Sequence, residues 1–326
     1  MTKPLFLIAW RFAVFSAALI FSAAAGSQGF PNKPVHLVVP YAPGGAVDLV
    51  ARSLGQGLQE GLGQAVVVDN RPGGGGSIGV DLVAKSAPDG YTLSVVAIGA
   101  LTINVHISKL PYDPLKDLAP VTVLATSPMI VGVNASIPVY SIKDLIAYVK
   151  VRPGKVSYSS NGLGSLSFLS GELFKRMTGI DMVHVPYKGG SPAAVALASG
   201  EVSVGVTEPA SMLPHVRAGR VRTLAVTDPK RSVILPDIPT VAESGVPGYE
   251  TNSWIALFAP AGTPAEIVNR LNAESVRALT LPEVRERILK SGQEPVSNTP
   301  AEMARILRTD FEKWRTVIKD AGIKSD

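Results

Sequence analysis

Three times this chain runs from a β-branched strand through a glycine turn into a helix, and few folds accommodate that pattern. Val35-His-Leu-Val-Val39 reads as a buried strand. Pro40 and Pro43 stop it, Gly44-Gly45 allow backbone angles that a Cβ disfavours, and a helix follows with Val50, Leu54, Leu58 and Leu62 on one face. Ala65-Val-Val-Val-Asp69 leads into Asn70-Arg-Pro-Gly-Gly-Gly-Gly-Ser77 and a helical pattern over residues 78–85. Lys155-Val-Ser-Tyr-Ser-Ser160 leads into Asn161-Gly-Leu-Gly-Ser165 and a helix over residues 166–177. Each turn aims free backbone N–H groups and the positive end of a helix dipole at one spot, which suits a carboxylate or phosphate. One such turn is only a tight connection. Three point to a single site assembled at the carboxyl ends of strands in an open α/β sheet.

The rest of the chain sets limits. Its 326 residues allow two domains, and 46% hydrophobic against 17% charged residues supports a sizeable core. Lys3 and Arg11 precede an apolar run over residues 12–21, and Ala23-Ala-Ala25 offers a small-residue cleavage site. The run falls short of the roughly 20 residues that span a bilayer, so residues 1–25 read as a cleaved export signal and the mature chain as lying outside the cytoplasm. Without them, 29 basic residues face 26 acidic ones, with no basic run, which gives nucleic-acid binding no support. The chain has no cysteine, excluding disulfides, thiol chemistry and cysteine metal sites.

Further along, residues 91–97 read as a strand, and 121–124 and 129–133 as two strands broken at Ser127-Pro128. A second α/β run spans the third glycine unit to Thr227, and a Pro/Gly-rich connection follows over residues 228–251. The tail returns to strand and helix, with Thr263-Pro-Ala-Glu266 and Thr299-Pro-Ala-Glu302 as two copies of one capping-box start. The tail helices need the N-terminal strands to cover. The expected architecture is therefore α/β and two-lobed, with two chain crossings. Residues 26–127 plus 228–326 form lobe 1, residues 128–227 form lobe 2, and a ligand cleft lies between them.

No catalytic constellation accompanies this cleft. His36, His106, His184 and His215 show no metal spacing, and no nucleophile elbow or P-loop appears. Gly74, Gly76 and Gly79 match a dinucleotide fingerprint, but the acid expected after the next strand is missing. We therefore expect no enzyme activity, no metal and no cofactor. What remains suits recognition: Gly44, Gly45, Gly74 and Gly75 offer backbone N–H groups. Ser77, Ser160, Asn161, Ser165, Ser167 and Thr207 offer short polar side chains, and Tyr41 and Phe168 could wall the cleft. Each serine or asparagine alone is equally a turn or helix cap.

The segment Phe30-Pro-Asn-Lys-Pro-Val-His-Leu-Val-Val-Pro-Tyr-Ala-Pro-Gly-Gly-Ala-Val-Asp48 resembles the opening of mature Bug proteins, the periplasmic solute receptors of tripartite tricarboxylate transporters. The 70–77 turn, Ala87-Pro-Asp-Gly-Tyr-Thr-Leu93, Pro111-Tyr-Asp-Pro114, His184-Val-Pro-Tyr-Lys-Gly-Gly190 and Phe258-Ala-Pro-Ala-Gly-Thr-Pro264 match in order and spacing. The resemblance implies a type II Venus-flytrap receptor, a monomer that holds a small carboxylate and hands it to integral membrane transporter subunits. A ligand-sensing subunit for a membrane sensor kinase is the alternative. The matching positions are Tyr41, Ala42, Pro43, Gly44, Gly45 and Ala46, then Gly73, Gly74, Gly75 and Ser77. In the second lobe they are Ser160, Asn161, Gly164, Ser165, Ser167, Phe168 and Thr207. The family often has histidine where Phe168 stands and aspartate where Thr207 stands. Their loss argues against an amino-acid ligand and toward an uncharged or aromatic body beside one carboxylate.

Overall fold

The computed structural model describes residues 29–163, 165–187, 189–320 and 322–323; the expected export signal and Gly164 lie outside them. Two sheets organise the chain. The first holds β1 (Val35–Val39), β2 (Val66–Asn70), β3 (Thr92–Ala97), β4 (Leu118–Pro128), β10 (Asn252–Pro260) and β11 (Glu294–Pro295), in the order β11-β4-β10-β3-β1-β2. The second holds β5 (Ile130–Asn134), β6 (Ser157–Ser160), β7 (Val183–Pro186), β8 (Val204–Thr207) and β9 (Val221–Val226), in the order β7-β6-β8-β5-β9.

Within the first sheet β2, β1 and β3 run parallel, while β10 runs antiparallel to β3 and β4. Val35, Leu37 and Val39 of the interior strand β1 pack against α1 (Ala46–Leu62), whose Val50, Leu54 and Leu58 are fully buried. Helices α8 (Ala265–Thr280) and α9 (Pro282–Lys290) share that layer, so the carboxyl-terminal part of the chain covers the amino-terminal strands. The other face of the sheet carries α2 (Ser77–Ala84), the short α3 (Asn104–Ile107) and α10 (Pro300–Asp320). In the second lobe α4 (Ile142–Lys150) and α5 (Leu166–Thr178) share a core with Tyr158 and Leu224. Helices α6 (Gly190–Ser199) and α7 (Pro209–Arg217) pack around Ile130, Met212 and Val221.

The chain passes between the sheets twice, at β4 to β5 and at β9 to β10. The two crossings lie side by side. Met129 and Thr227 exchange hydrogen bonds, Thr227 N–H donating to Met129 O at 3.0 Å and Met129 N–H to the Thr227 side-chain Oγ1 at 3.2 Å; Thr251 N–H donates to Thr227 O at 2.9 Å. Beside them α10 ties the lobes together, its Asp320 pairing with Arg176 of α5 at 2.8 Å.

Local differences from the sequence expectation have physical causes. The two strands expected on either side of Ser127-Pro128 are β4 and β5; β4 runs on through Ser127 to Pro128, opposite Asn252, before the break at Met129. The two threonine helix starts diverge: Thr299 and Glu302 form a reciprocal capping box, Thr299 N–H donating to Glu302 Oε2 at 2.8 Å and Glu302 N–H to Thr299 Oγ1 at 3.2 Å. Thr263 instead turns its hydroxyl back onto Pro260 O at 2.7 Å and caps nothing.

Candidate functional site between the lobes

Strand register alone makes the two glycine-turn faces point at each other. Ala97, the last residue of β3, pairs with Ile255 close to the crossing, so the carboxyl ends of the parallel strands β1, β2 and β3 lie at the crossing end of their sheet. In the second sheet Thr207, the last residue of β8, pairs with Ile130 just past the other crossing, and β6 and β7 run parallel to β8. Each lobe also has a point where strand order reverses. It falls between β1 and β3 in the first lobe and between β6 and β8 in the second. Ligands in open α/β sheets sit in the crevice outside the carboxyl ends of the strands at such a point.

In the first lobe, the turn after β1 exposes Ala42, Pro43, Gly44 and Gly45. The Gly44 N–H, expected to face a ligand, donates to Asp48 Oδ2 at 2.9 Å. Asp48 also accepts from Arg52 Nε at 3.0 Å and Asn70 Nδ2 at 2.9 Å, and Asn70 Nδ2 reaches Tyr41 O at 3.1 Å. Burial pushes the Asp48 carboxyl up, and the hydrogen bonds from Arg52, Gly44 and Asn70 outweigh it, holding the group below the usual carboxylate range. The first helical bond of α1 is Leu49 N–H to Gly45 O, so the amides of Ala46, Val47 and Asp48 at the helix start have no intrahelical acceptor.

The second turn is built from Gly73, Gly74, Gly75 and Gly76, with φ of 133°, 56°, 64° and 101°. Four successive residues in this region require glycine, and the turn leaves Gly74 and Gly75 exposed. Asn104 braces it, Nδ2 donating to Gly75 O at 3.0 Å, and Ser77 opens α2 beside it. Tyr41 lies against Gly76, where a Cβ would come within 3.2 Å of its hydroxyl. Burial pushes the Tyr41 phenol up to about 12, a backbone hydrogen bond at Ala97 opposing it.

In the second lobe the serines turn inward. Ser160, fully buried, places Oγ 2.7 Å from His184 Nε2 and accepts from Gly162 N–H at 3.1 Å. Ser167 Oγ accepts from Asn161 N–H at 2.8 Å, and Ser165 caps α5 by accepting from Phe168 N–H at 3.2 Å. Phe168 is 5% exposed and its ring stacks on His184 at 4.4 Å, so it stands in the core behind the turn. Burial pulls the His184 imidazole below its ordinary value.

Asn161 and Thr207 close on a residue that sequence reading did not single out, Glu208. Asn161 Nδ2 donates to both carboxylate oxygens of Glu208, at 2.8 and 2.9 Å, and Thr207 Oγ1 lies 2.9 Å from Glu208 Oε2 and 3.0 Å from Asn161 Oδ1. An acid, Glu208, thus stands one position after Thr207, and the His184 imidazole lies behind Phe168. Thr207-Glu-Pro209 carried a signal, an acid at a strand end directly before a helix-starting proline.

A surface hollow of about 840 Å³ lies elsewhere, between Phe30, Lys33, Tyr91, Glu266 and Arg270. It sits at the amino ends of β1 and β3, the opposite end of the sheet from the glycine turns.

Among the described residues no helix is long and apolar enough to cross a membrane. The chain matches the tripartite tricarboxylate transporter family receptor over residues 50–323. It is 37% identical to the protein BugT of Bordetella pertussis, over 95% of this chain and 96% of that one. The structure of Rpa4515 of R. palustris with adipate is 40% identical, with a TM-score of 0.72 over 91% of this chain and all of that one. A TctC solute-binding protein from Polaromonas, solved with no ligand, is 25% identical, with a TM-score of 0.83 over 90% of this chain and all of that one. The chain therefore belongs to the periplasmic solute-binding receptors of the tripartite tricarboxylate transporter family.

Proposed function

We propose that this protein is exported, captures a small carboxylate between its lobes, and delivers it to a tripartite tricarboxylate-type membrane transporter. The lobes are residues 26–127 with 228–326, and residues 128–227. The carboxylate sits at the turns over Tyr41 to Ala46 and Gly73 to Ser77, while the Ser160 to Ser167 turn and Thr207 close from the other side. The observation that carries this reading is the facing pair of strand-order reversals, with exposed glycine turns in the first lobe. The adipate bound by Rpa4515 supports a small carboxylate as the ligand class. Binding favours the closed state because only there does the ligand touch both lobes.

The test uses protein recovered from the periplasm of its native host, its chain beginning near residue 26. A panel of small carboxylates is screened for a rise in melting temperature, and scattering is measured with and without the one that binds. The expected result is a smaller radius of gyration on binding. An unchanged radius, or a protein found only in the cytoplasm and starting at Met1, rejects the reading.

A further inference from the structure

The second lobe's end of the cleft is built to accept hydrogen bonds. Asn161 has one orientation compatible with its neighbours: Nδ2 faces the Glu208 carboxylate at 2.8 and 2.9 Å and Oδ1 faces the Thr207 hydroxyl at 3.0 Å. The reverse orientation would set a carbonyl oxygen against a carboxylate. The amide donor is therefore committed to Glu208, and the single Thr207 proton is shared between Asn161 Oδ1 and Glu208 Oε2. Neither group has a donor left for a ligand carboxylate. Among the described residues none forms an ion pair with Glu208.

Gly190 shows that Ser211 stands beside this pair. A Cβ there would stand 2.6 Å from Ser211 Oγ, 2.7 Å from Thr207 Oγ1 and 2.9 Å from Glu208 Oε2. Three oxygens from the β8 end and α7 thus cluster against the start of α6, too close for any residue but glycine there. The first lobe is the reverse. Its turns present amide N–H groups at the start of α1 and an exposed glycine turn, and the Asp48 carboxylate is engaged by Arg52, Asn70 and Gly44.

We propose that Glu208, with Ser211 and Thr207, binds a protonated amine at the far end of a ligand whose carboxylate lies in the first lobe. This rests on the small-carboxylate reading above and narrows it: the preferred ligand is a chain with a carboxylate at one end and an ammonium at the other. A dicarboxylate of the same length places its second charge against Glu208 and binds less well.

The experiment incubates the protein with an equimolar pool of ω-amino acids and dicarboxylates of four to seven carbons, matched alkylamines that lack a carboxylate, and an extract of the host. Retained molecules are identified by mass spectrometry, and affinities of matched pairs such as 6-aminohexanoate and adipate are measured by calorimetry. The expected preference for the ω-amino acid is about tenfold or more, which is about 1.4 kcal/mol. Glu208→Gln keeps the shape and removes the charge, and should bring the pair to within about threefold. Ser211→Ala, outside the Asn161 network, provides a second variant, with a melting curve to establish folding, and should weaken the ω-amino acid more than adipate. Retention of dicarboxylates ahead of ω-amino acids, or a ratio unaltered in both variants, overturns the inference and leaves the carboxylate receptor standing. Retention only of molecules without a carboxylate, or of nothing from either pool, overturns both.

Discussion

Asp48 shows how a residue can shape a binding turn without touching the ligand. It is 2% exposed, and its oxygens receive the Gly44 N–H, Arg52 and Asn70, which in turn holds the carbonyl of Tyr41. One carboxylate thereby fixes the turn after β1 against the turn after β2. Replacing it by asparagine keeps the size but loses the charge-assisted bonds, each of which contributes about 1.5–3 kcal/mol in comparable settings. We expect Asp48→Asn to lower the melting temperature and to weaken carboxylate binding, because the amides at the start of α1 lose their fixed direction. Calorimetry on the folded variant decides it, and wild-type affinity would show that Asp48 serves stability alone. The buried serines make the complementary point. Ser160 and Ser167 are fully buried, and sequence alone could not tell a hydroxyl aimed at a ligand from one satisfying the turn, since both need the same short side chain at the same strand end. Asp48 and Asn70 were visible within their motifs, yet their role depends on two segments 22 residues apart meeting in space.

Among the elements, those with strong local signals were legible. The strand–turn–helix units at β1, β2 and β6 follow from β-branched runs, glycine turns and helical periodicity, and the Thr299 capping box reads directly as the start of α10. Helix α9 gave less to read, because it starts at Pro282 after Leu281, with no side-chain cap. Packing between helices is also invisible in the pattern, and the contact of α1 with α8 is the clearest case. Gly57 lies mid-helix, where alanine would normally stabilise by about 1 kcal/mol. Here a Cβ would sit 2.6 Å from Ala278 Cβ and 3.0 Å from its Cα. Gly57→Ala should therefore destabilise, by about 1–3 kcal/mol, as overpacking does. Pairing it with Ala278→Gly should recover most of the loss. Denaturant unfolding of the single and double variants tests this, and a stabilised single variant would mean that the helices separate at little cost.

At the scale of the whole molecule, the crossings between lobes combine a continuous core with a buried titratable group. Trp254, Phe258 and Trp314 of the first lobe belong to the same apolar cluster as Tyr158, Phe168 and Phe174 of the second. The two-lobed plan and its crossings were legible from the order of strands and tail helices. The titratable group beside the crossing was not, because its environment comes from three distant segments. Asp228 directly follows Thr227, and its Oδ2 has no hydrogen-bond partner among the described residues. Burial, with Glu294 and Glu250 nearby, pushes its carboxyl from an ordinary 3.8 up to about 8. Glu294 is itself hydrogen-bonded by the Ser232 hydroxyl. The sign of the effect follows from proton counting. Between pH 3.8 and about 8 the folded protein holds a proton on Asp228 that the unfolded chain has released, so stability falls as pH rises through that window. Below the window both states are protonated and the group costs nothing. Asp228→Asn cannot ionise, so it should match the wild type near pH 4 and melt at a progressively higher temperature than the wild type toward pH 9. Melting curves across that range check it. Parallel pH dependence in the two proteins would show that Asp228 ionises as readily in the folded molecule as in the unfolded chain.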